Sequence, residues 1–299
     1  MLSSLLRADD GVAASELPYA ACAPEDLAGQ FVIELAADYT RVGGKVYDGV
    51  LPTRVPVELA RAGECRLLEI VPSTCTPACP AATEICDASQ TCVPLPRARD
   101  VGAVGVAGLA VPLTMRANGV TYAYSNPAQP ALPHPGFLPG ADLRLGTSGG
   151  DYASFVLRGW GVSALELAPG PVAIRAGAPV TLGWRAPADG GPARLHVSLN
   201  INHHGSSNAW IECELADTGA AQIPATLVDA LMEKGRSGFP TLTASRRTAS
   251  SVEIEPGCAE LLVVSEVTSG VDVDGIVSCN TSMECALGQS CLPVERFCQ

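Results

Sequence analysis

Apolar and polar residues alternate one by one through much of the segment from Pro179 to Pro224. In the clearest run, Leu195–Ile201, every second residue is aliphatic, and the residues between are His, Ser and Asn. The run Val180–Trp184 has the same period. A period of two predicts β-strands that bury one face and solvate the other. This segment therefore predicts part of a β-sheet.

Turn residues separate similar, shorter runs over most of the chain. The 299 residues include 30 glycines and 24 prolines, more than average proteins contain. One short helix is predicted at Pro224–Met232, because proline favours the first helical turn and Leu227 and Leu231 form an i, i+4 apolar pair. Gly235 is expected to end this helix.

We expect an all-β protein with two β-sandwich domains and two disulfide-rich, loop-dominated knobs. The length suffices for two domains that each bury a core. The predicted units are a flexible leader at 1–21, a first β-sandwich at 22–160 with a cysteine knob inserted at 75–92, a second β-sandwich at 161–275, and a C-terminal cysteine knob at 276–299.

Two stretches carry family resemblances. The string Gly44-Lys45-Val46-Tyr47-Asp48-Gly49, followed by Val55-Pro56-Val57-Glu58-Leu59, resembles the opening hairpin of carboxypeptidase-regulatory-like (transthyretin-like) domains. This resemblance implies a small extracellular sandwich used for support or adhesion. The second domain, with about seven short strands, resembles an immunoglobulin-like or fibronectin-III-like sandwich. It departs from the antibody order of Cys, Trp and Cys, because Trp184 precedes both Cys213 and Cys258.

The cysteines indicate an oxidising compartment. Most of the twelve fall in two tight clusters, Cys75-x3-Cys79-x6-Cys86-x5-Cys92 and Cys279-x5-Cys285-x5-Cys291-x6-Cys298. Each cluster has too few apolar residues for a core and resembles the EGF-like or trefoil-sized knobs of exported bacterial surface proteins. Disulfide-dense segments belong to oxidising compartments. The alternative is zinc, but the x5 spacings exceed those of structural zinc sites.

Pairings are expected on different grounds. A first-to-third, second-to-fourth pattern suits each knob, although four cysteines allow three connectivities. Cys22 and Cys65 bracket the first strands and are candidates to pair. Cys213 and Cys258 are the two cysteines of the second domain, and we expect them to form a disulfide.

The compartment predicted from the cysteines is extracellular or cell-surface. No export signal is visible, because Asp9, Asp10 and Glu16 interrupt the N-terminal apolar residues. A net charge of −12, with 17% charged residues, disfavours nucleic acid as a partner. No membrane-spanning segment is expected, since the uncharged stretch Val101–Met115 is short and contains glycine and proline.

Three short motifs resemble catalytic or metal-binding sequences. Asp217-Thr218-Gly219-Ala220 matches the aspartic-protease string, but a second copy is absent from the sequence. Gly146-Thr147-Ser148-Gly149-Gly150 matches the hydrolase pattern G-x-S-x-G, which requires a helix after the serine, and a strand is predicted there. Val271-Asp272-Val273-Asp274-Gly275 begins a calcium-loop pattern without its closing glutamate. We expect all three to be turns or linkers.

Strand parity predicts one surface of interest. Arg194, His196, Ser198, Asn200, Asn202 and His204 are expected to face outward, with Trp210, Glu212 and Glu214 beside them if Gly205 and Ser206 form the turn. A tryptophan among such groups can stack on a sugar ring. His196 or His204 with Glu212 is a conceivable metal pair, at a spacing that known sites do not use. The simplest interpretation is a solvated sheet face.

From these features we expect a non-enzymatic secreted or cell-surface protein with a binding or structural role in the cell envelope or extracellular matrix. Its expected partner is an extracellular protein or polysaccharide. The candidate ligand-binding residues are Trp210, His196, Asn200, Asn202, Glu212 and Glu214, and no cofactor or metal is expected. The alternative is a carbohydrate-binding module that uses the Trp210 face. A remoter alternative is a hydrolase centred on Asp217 or Ser148.

Overall fold

The computed structural model describes residues 19–52, 55–71, 74–80, 83–87, 89–119, 121, 123–128, 131–188, 191–204 and 207–299. Within them the protein is almost entirely β-structure, with one α-helix and disulfide-rich loops. The predicted all-β class is confirmed.

The elements run in chain order as follows. The first strands are β1 (Leu27–Leu35), β2 (Thr40–Tyr47), β3 (Val57–Ala62), β4 (Cys65–Glu69), β5 (Glu84–Cys86), β6 (Cys92–Pro94), β7 (Ala98–Arg99), β8 (Val104–Ala107), β9 (Leu113–Met115), β10 (Tyr124–Ser125), β11 (Asp142–Thr147) and β12 (Val156–Trp160). They are followed by β13 (Val172–Ile174), β14 (Val180–Gly183), β15 (Arg194–Asn200), β16 (Ala209–Ala216), β17 (Ala220–Ile223), α1 (Ala225–Glu233), β18 (Thr241–Ile254) and β19 (Gly257–Val273).

The largest sheet joins the two ends of the chain. Its main path has the order β10-β2-β1-β19-β18-β15-β16-β4-β3, with β7 and β13 attached at the sides. The long strands β18 and β19 form an antiparallel ladder, and β19 then pairs in parallel with β1, where Phe31 lies opposite Leu261. The strands predicted in the first domain and those predicted in the second are therefore hydrogen-bonded neighbours.

Two hydrophobic cores lie side by side under one face of this sheet. The first packs β1, β2 and the start of β19 against the four-stranded sheet β12-β11-β8-β9. The second packs β15, β16, β4 and the end of β19 against the β14–β17 pair and α1. Because Leu261 belongs to the first core and Val271 to the second, β19 is shared. The predicted boundary at residues 160 and 161 thus separates stretches of chain that are held in one sheet.

The helix α1 forms where the sequence predicts it. Pro224 is the N-cap residue, in extended conformation, and the buried Leu227, Val228 and Leu231 face the second core. Gly235 follows the helix with a positive φ of 121°. The proline and the i, i+4 leucine pair are local signals, which is why this prediction is confirmed.

All twelve cysteines form disulfides. The knobs have the first-to-third, second-to-fourth pattern: Cys75–Cys86, Cys79–Cys92, Cys279–Cys291 and Cys285–Cys298. The other two predicted pairings are wrong, because the bonds are Cys22–Cys258 and Cys65–Cys213. The reason is strand order: β1 lies beside β19, and Cys65 of β4 faces Cys213 of β16.

The start of the described chain lies on the sheet. The Tyr19 ring packs near Ala249, Leu262 and Val264, and the Ala20 amide donates to the Ala249 carbonyl at 3.0 Å. Residues 1–18 of the predicted flexible leader lie outside the described residues.

Candidate binding face

The large sheet presents polar side chains on the face opposite the two cores. We call this surface the open face and define it by the alternate residues of its four central strands: His196, Ser198 and Asn200 of β15, Glu212 and Glu214 of β16, Thr243, Ser245 and Arg247 of β18, and Glu266 and Thr268 of β19. Their neighbours in sequence, such as Val197 and Cys213, are completely buried in the second core. The alternation predicted for β15 places this polar set on one side.

A chain of ion pairs crosses the open face. Arg66 Nη2 lies 2.6 Å from Glu212 Oε1, and His196 Nε2 lies 3.4 Å from Glu212 Oε2 and 4.0 Å from Glu214 Oε1. Arg247 continues the chain through a salt bridge to Glu214. The predicted proximity of His196, Glu212 and Glu214 is therefore observed.

These ion pairs change the acidity of the central carboxylates. Burial would raise the pKa of Glu212, but the hydrogen bond and charge of His196, together with Arg66, lower it to about 2. Glu266 has the opposite shift, because burial and the negative charge of Glu34 raise its pKa. Glu212 therefore stays ionised at neutral pH and engaged with two basic side chains.

Tyr19 closes one end of the ion-pair chain. Its hydroxyl accepts a hydrogen bond from Arg247 Nε at 2.7 Å, and the Arg194 guanidinium lies over its ring at 6.0 Å from the centroid. Arg194 also donates to the Glu214 carbonyl oxygen and pairs with Glu64 at 2.6 Å. Burial raises the pKa of the Tyr19 hydroxyl, which stays protonated at neutral pH.

Uncharged hydroxyl groups lie in a row beside the ion pairs. Ser198, Thr243 and Thr268 occupy matched positions on β15, β18 and β19. The Oγ1 atoms of Thr243 and Thr268 are 3.2 Å apart, and Thr268 is exposed. Such a row offers both donors and acceptors to a hydroxyl-rich partner.

Trp210 lies at the end of this surface. It is half-buried near the start of β16, where its register partner on β4 is the buried Leu68. Asn200 is the last residue of the adjacent strand β15 and belongs to the same face. Trp210 is therefore partly exposed at the end of the open face that also carries Asn200.

Asn202 is not on the open face. Its side chain and backbone are only 4% exposed as a residue, and its backbone N–H donates a hydrogen bond to Asn200 Oδ1 at 2.8 Å. The prediction was wrong because β15 ends at Asn200: Ile201 is buried as the alternation predicts, but Asn202 beyond it is buried as well.

His204 also lies beyond the end of the strand. Its amide donates to Ser237 Oγ, and its ring meets Phe239 edge-on at 6.1 Å between centroids. Of the two histidines considered for a metal pair, the structure places His196 beside Glu212. The predicted turn at Gly205 and Ser206 lies outside the described residues.

Metal chemistry has little support from the cysteines. In the part of the chain that the structure describes, the clusters of three or more potential ligands are Cys75, Cys79 and Cys92, and Cys279, Cys285 and Cys298. All six sulfurs belong to disulfides. Since metals bind the thiolate form, these groups are not zinc ligands in this state.

Asp217 of the protease-like string is a buried structural residue. Trp184 Nε1 donates to its Oδ1 at 2.7 Å, and Arg246 Nε lies 2.5 Å from its Oδ2. The two side chains of the ion pair are 2% and 4% exposed. Both carboxylate oxygens of Asp217 are therefore engaged by neighbouring side chains.

The Ser148 motif and the calcium-like string also lie in or beside β-strands. Ser148 follows β11, and its hydroxyl accepts a hydrogen bond from the Ala103 amide at 2.8 Å. The next regular element is strand β12 rather than the helix that a nucleophile elbow requires. Asp272 lies within β19 and is paired with Ala173, so the calcium-like string is mostly strand.

The strand order brought in residues that the sequence analysis missed. Arg66, Arg247 and Tyr19 complete the ion-pair chain, yet they are far from His196 in sequence. The sequence around these three residues does not predict their place on the open face, because that place depends on which strands are neighbours in the sheet.

Comparison with protein-family models gave no match, and comparison with curated proteins gave no significant match either. Among the residues that the structure describes, no helix has the length and apolar character needed to cross a membrane.

Proposed function

We propose that this protein is a non-enzymatic, exported binding or structural protein of the cell envelope or extracellular matrix, and that it contacts its partner through the open face. One observation carries the proposal. The large sheet buries one face against two cores, while the other face presents polar side chains from four central strands, among which Thr268 is exposed.

The disulfides support the compartment. Six bonds that use every cysteine are typical of proteins made in oxidising compartments. The first knob has two strands of three residues, the second has isolated bridges, and both have few buried apolar residues, so their folds depend on these bonds.

A non-catalytic role is favoured by the surroundings of the motif residues. Asp217 is enclosed by Arg246 and Trp184, and the Ser148 hydroxyl is engaged by a backbone amide. On the open face, Glu212 is paired with Arg66 and His196, and Glu214 is paired with Arg247. Paired charges are suited to a surface that recognises a partner and holds its side chains in fixed positions.

Polysaccharide is the second candidate partner. The observation that favours it is the half-exposed Trp210 at the end of a surface with the Asn200 amide and the Ser198, Thr243 and Thr268 hydroxyls. Aromatic rings stack on sugar faces, while hydroxyl and amide groups bind sugar hydroxyls. The span from Trp210 to Thr268 fits an extended chain better than a single sugar.

Retention on insoluble polysaccharides tests this candidate. Cellulose, chitin and purified peptidoglycan would be compared, with wild type, Trp210→Ala and Trp210→Phe. Stacking predicts retention of the wild type, near-wild-type retention of the Phe variant, and at least tenfold weaker retention of the Ala variant. Equal retention of all three, or none on any polymer, contradicts the carbohydrate role. Binding to intact envelope preparations then decides whether the partner is a protein.

A further inference from the structure

A cavity of about 400 Å³ opens beside β2, away from the ion-pair chain. We call it the Lys45 pocket and define it by lining residues Gln30, Val32, Gly43, Lys45, Tyr47 and Leu51. It lies between β1, β2 and β10, and β2 is four strands from β15 in the sheet. At the usual strand spacing this separates the pocket from His196 by about 19 Å.

The pocket exists because Gly43 interrupts a row of side chains. Gly43 lies opposite Val32 in the β1–β2 ladder, between Arg41 and Lys45 on the same side of β2. Without a side chain at Gly43, the surface sinks to the backbone between these two cations. A Cβ at Gly43 would lie 3.0 Å from the Tyr124 carbonyl oxygen, so the backbone of β10 closely borders the depression.

Gly44 has a different role. A Cβ at Gly44 would lie 2.3 Å from the Phe31 ring, on the core side of the sheet. The two consecutive glycines therefore serve opposite faces: Gly44 allows Phe31 to pack, and Gly43 leaves the depression open.

The charge of the lining runs against that of the whole protein. The net charge is −12, with 31 acidic residues, yet the described lining residues include Arg41 and Lys45 and no aspartate or glutamate. Arg41 is engaged in a salt bridge with Glu34 at 2.5 Å. Among the lining residues that the structure describes, Lys45 is therefore the cation left to interact with a ligand.

Lys45 differs from the other lysine of the chain. Lys234 pairs with Glu69 at 3.0 Å. The Lys45 ammonium instead lies 5.8 Å from the centroid of the Tyr47 ring, and no described residue gives it a salt bridge. Lys45 is partly buried as a residue, and an ammonium group beside apolar surface favours an anionic partner.

We propose that the Lys45 pocket binds a small amphiphile with an apolar body and a single carboxylate. The apolar body contacts Val32 and Leu51, and the carboxylate accepts a charge-assisted hydrogen bond from Lys45. The volume lies within the range of small-molecule sites. The inference is independent of the function proposed for the open face.

Isothermal titration with octanoate and 2-naphthoate tests the proposal, and their primary amides serve as neutral counterparts. We expect saturable binding of at least one carboxylate and at least tenfold weaker binding of its amide. Lys45→Gln should weaken carboxylate binding by about tenfold or more. Val32→Phe, which places a ring in the depression, should abolish it.

Lys234→Gln is the matched control, because it removes the other lysine and should bind like the wild type. Thermal unfolding of each variant separates lost binding from lost folding. If neither carboxylate binds the folded wild type, if the amide binds equally well, or if Lys45→Gln and Lys234→Gln behave alike, the proposal is wrong.

Discussion

Asp217 and Arg246 form a salt bridge, 2.5 Å from Nε to Oδ2, in which both side chains are almost completely buried. Arg246 also donates to the carbonyl oxygens of Ser163, Ala164 and Arg185. The neighbours of the Ser163–Ala164 segment belong to different cores, Val162 to the first and Leu165 to the second. The ion pair therefore holds the Ser163–Ala164 segment in place, where the chain passes from the first core to the second.

Removing the charge of Asp217 should strongly destabilise the protein. Asp217→Asn leaves the buried Arg246 guanidinium without its counter-ion, and breaking a buried pair in this way costs about 3–5 kcal/mol. The free energy of unfolding in urea measures the effect, and Asp274→Asn, at an exposed position, is the control. A loss no larger than that of the control would mean that the pair does not hold the two cores together.

Stability should fall in acid through Glu212. Its pKa is lowered from 4.5 in the unfolded chain to about 2 in the folded one. The contribution is therefore present above pH 4.5 and lost as the pH falls from 4.5 toward 2, on the order of 3 kcal/mol in full. Urea unfolding at several pH values should show a flatter acid dependence for Glu212→Gln than for wild type. Glu253→Gln, on an exposed site, should keep the wild-type slope.

The disulfide Cys22–Cys258 should matter more to global stability than a knob disulfide. It joins residues 236 apart in sequence and holds Tyr19 near Arg247, whereas Cys79–Cys92 closes a separation of 13. Chain-entropy arguments give about 4–5 kcal/mol for long loops and about 3 for short ones. Replacing both cysteines of each bond by Ala, we expect the larger drop in thermal midpoint for Cys22 and Cys258. A larger drop for the knob variant would contradict this ranking.

Native protein should contain no free thiol. Alkylation under denaturing, non-reducing conditions should leave the mass unchanged, and reduction should raise it by about 12 Da, two hydrogens for each of six disulfides. Eight or more reactive thiols would instead favour an intracellular protein with cysteine-rich metal modules. Zinc released on denaturation would then account for the knobs.

The sequence predicted local features well and long-range pairing poorly. The strand at Leu195–Ile201 appears as β15 (Arg194–Asn200), and the helix begins at the predicted proline, because both depend on neighbouring residues. The parallel pairing of β1 with β19 joins segments more than 200 residues apart and has no local signature. The two wrong disulfide pairings follow from this missing strand order.

The same limit applies to the candidate site. The alternation of residues along the strands placed His196, Glu212 and Glu214 together. This prediction required only that the consecutive strands β15 and β16 form an antiparallel pair. Arg66 and Arg247 lie on further neighbours of those strands, which the sequence did not order. The prediction that Asn202 faces outward failed for a separate reason, because the alternation was extended beyond the end of β15.

Binding to envelope preparations from the source cells tests the central claim most directly. Thr268 is exposed on β19, at one side of the open face, and Thr181 is exposed on the separate β14–β17 pair. Fluorescently labelled wild type and Thr181→Arg should bind saturably, whereas Thr268→Arg should bind at least tenfold more weakly, because the added side chain covers the hydroxyl row. Equal binding by the two arginine variants, or no binding by folded wild type, would contradict the account.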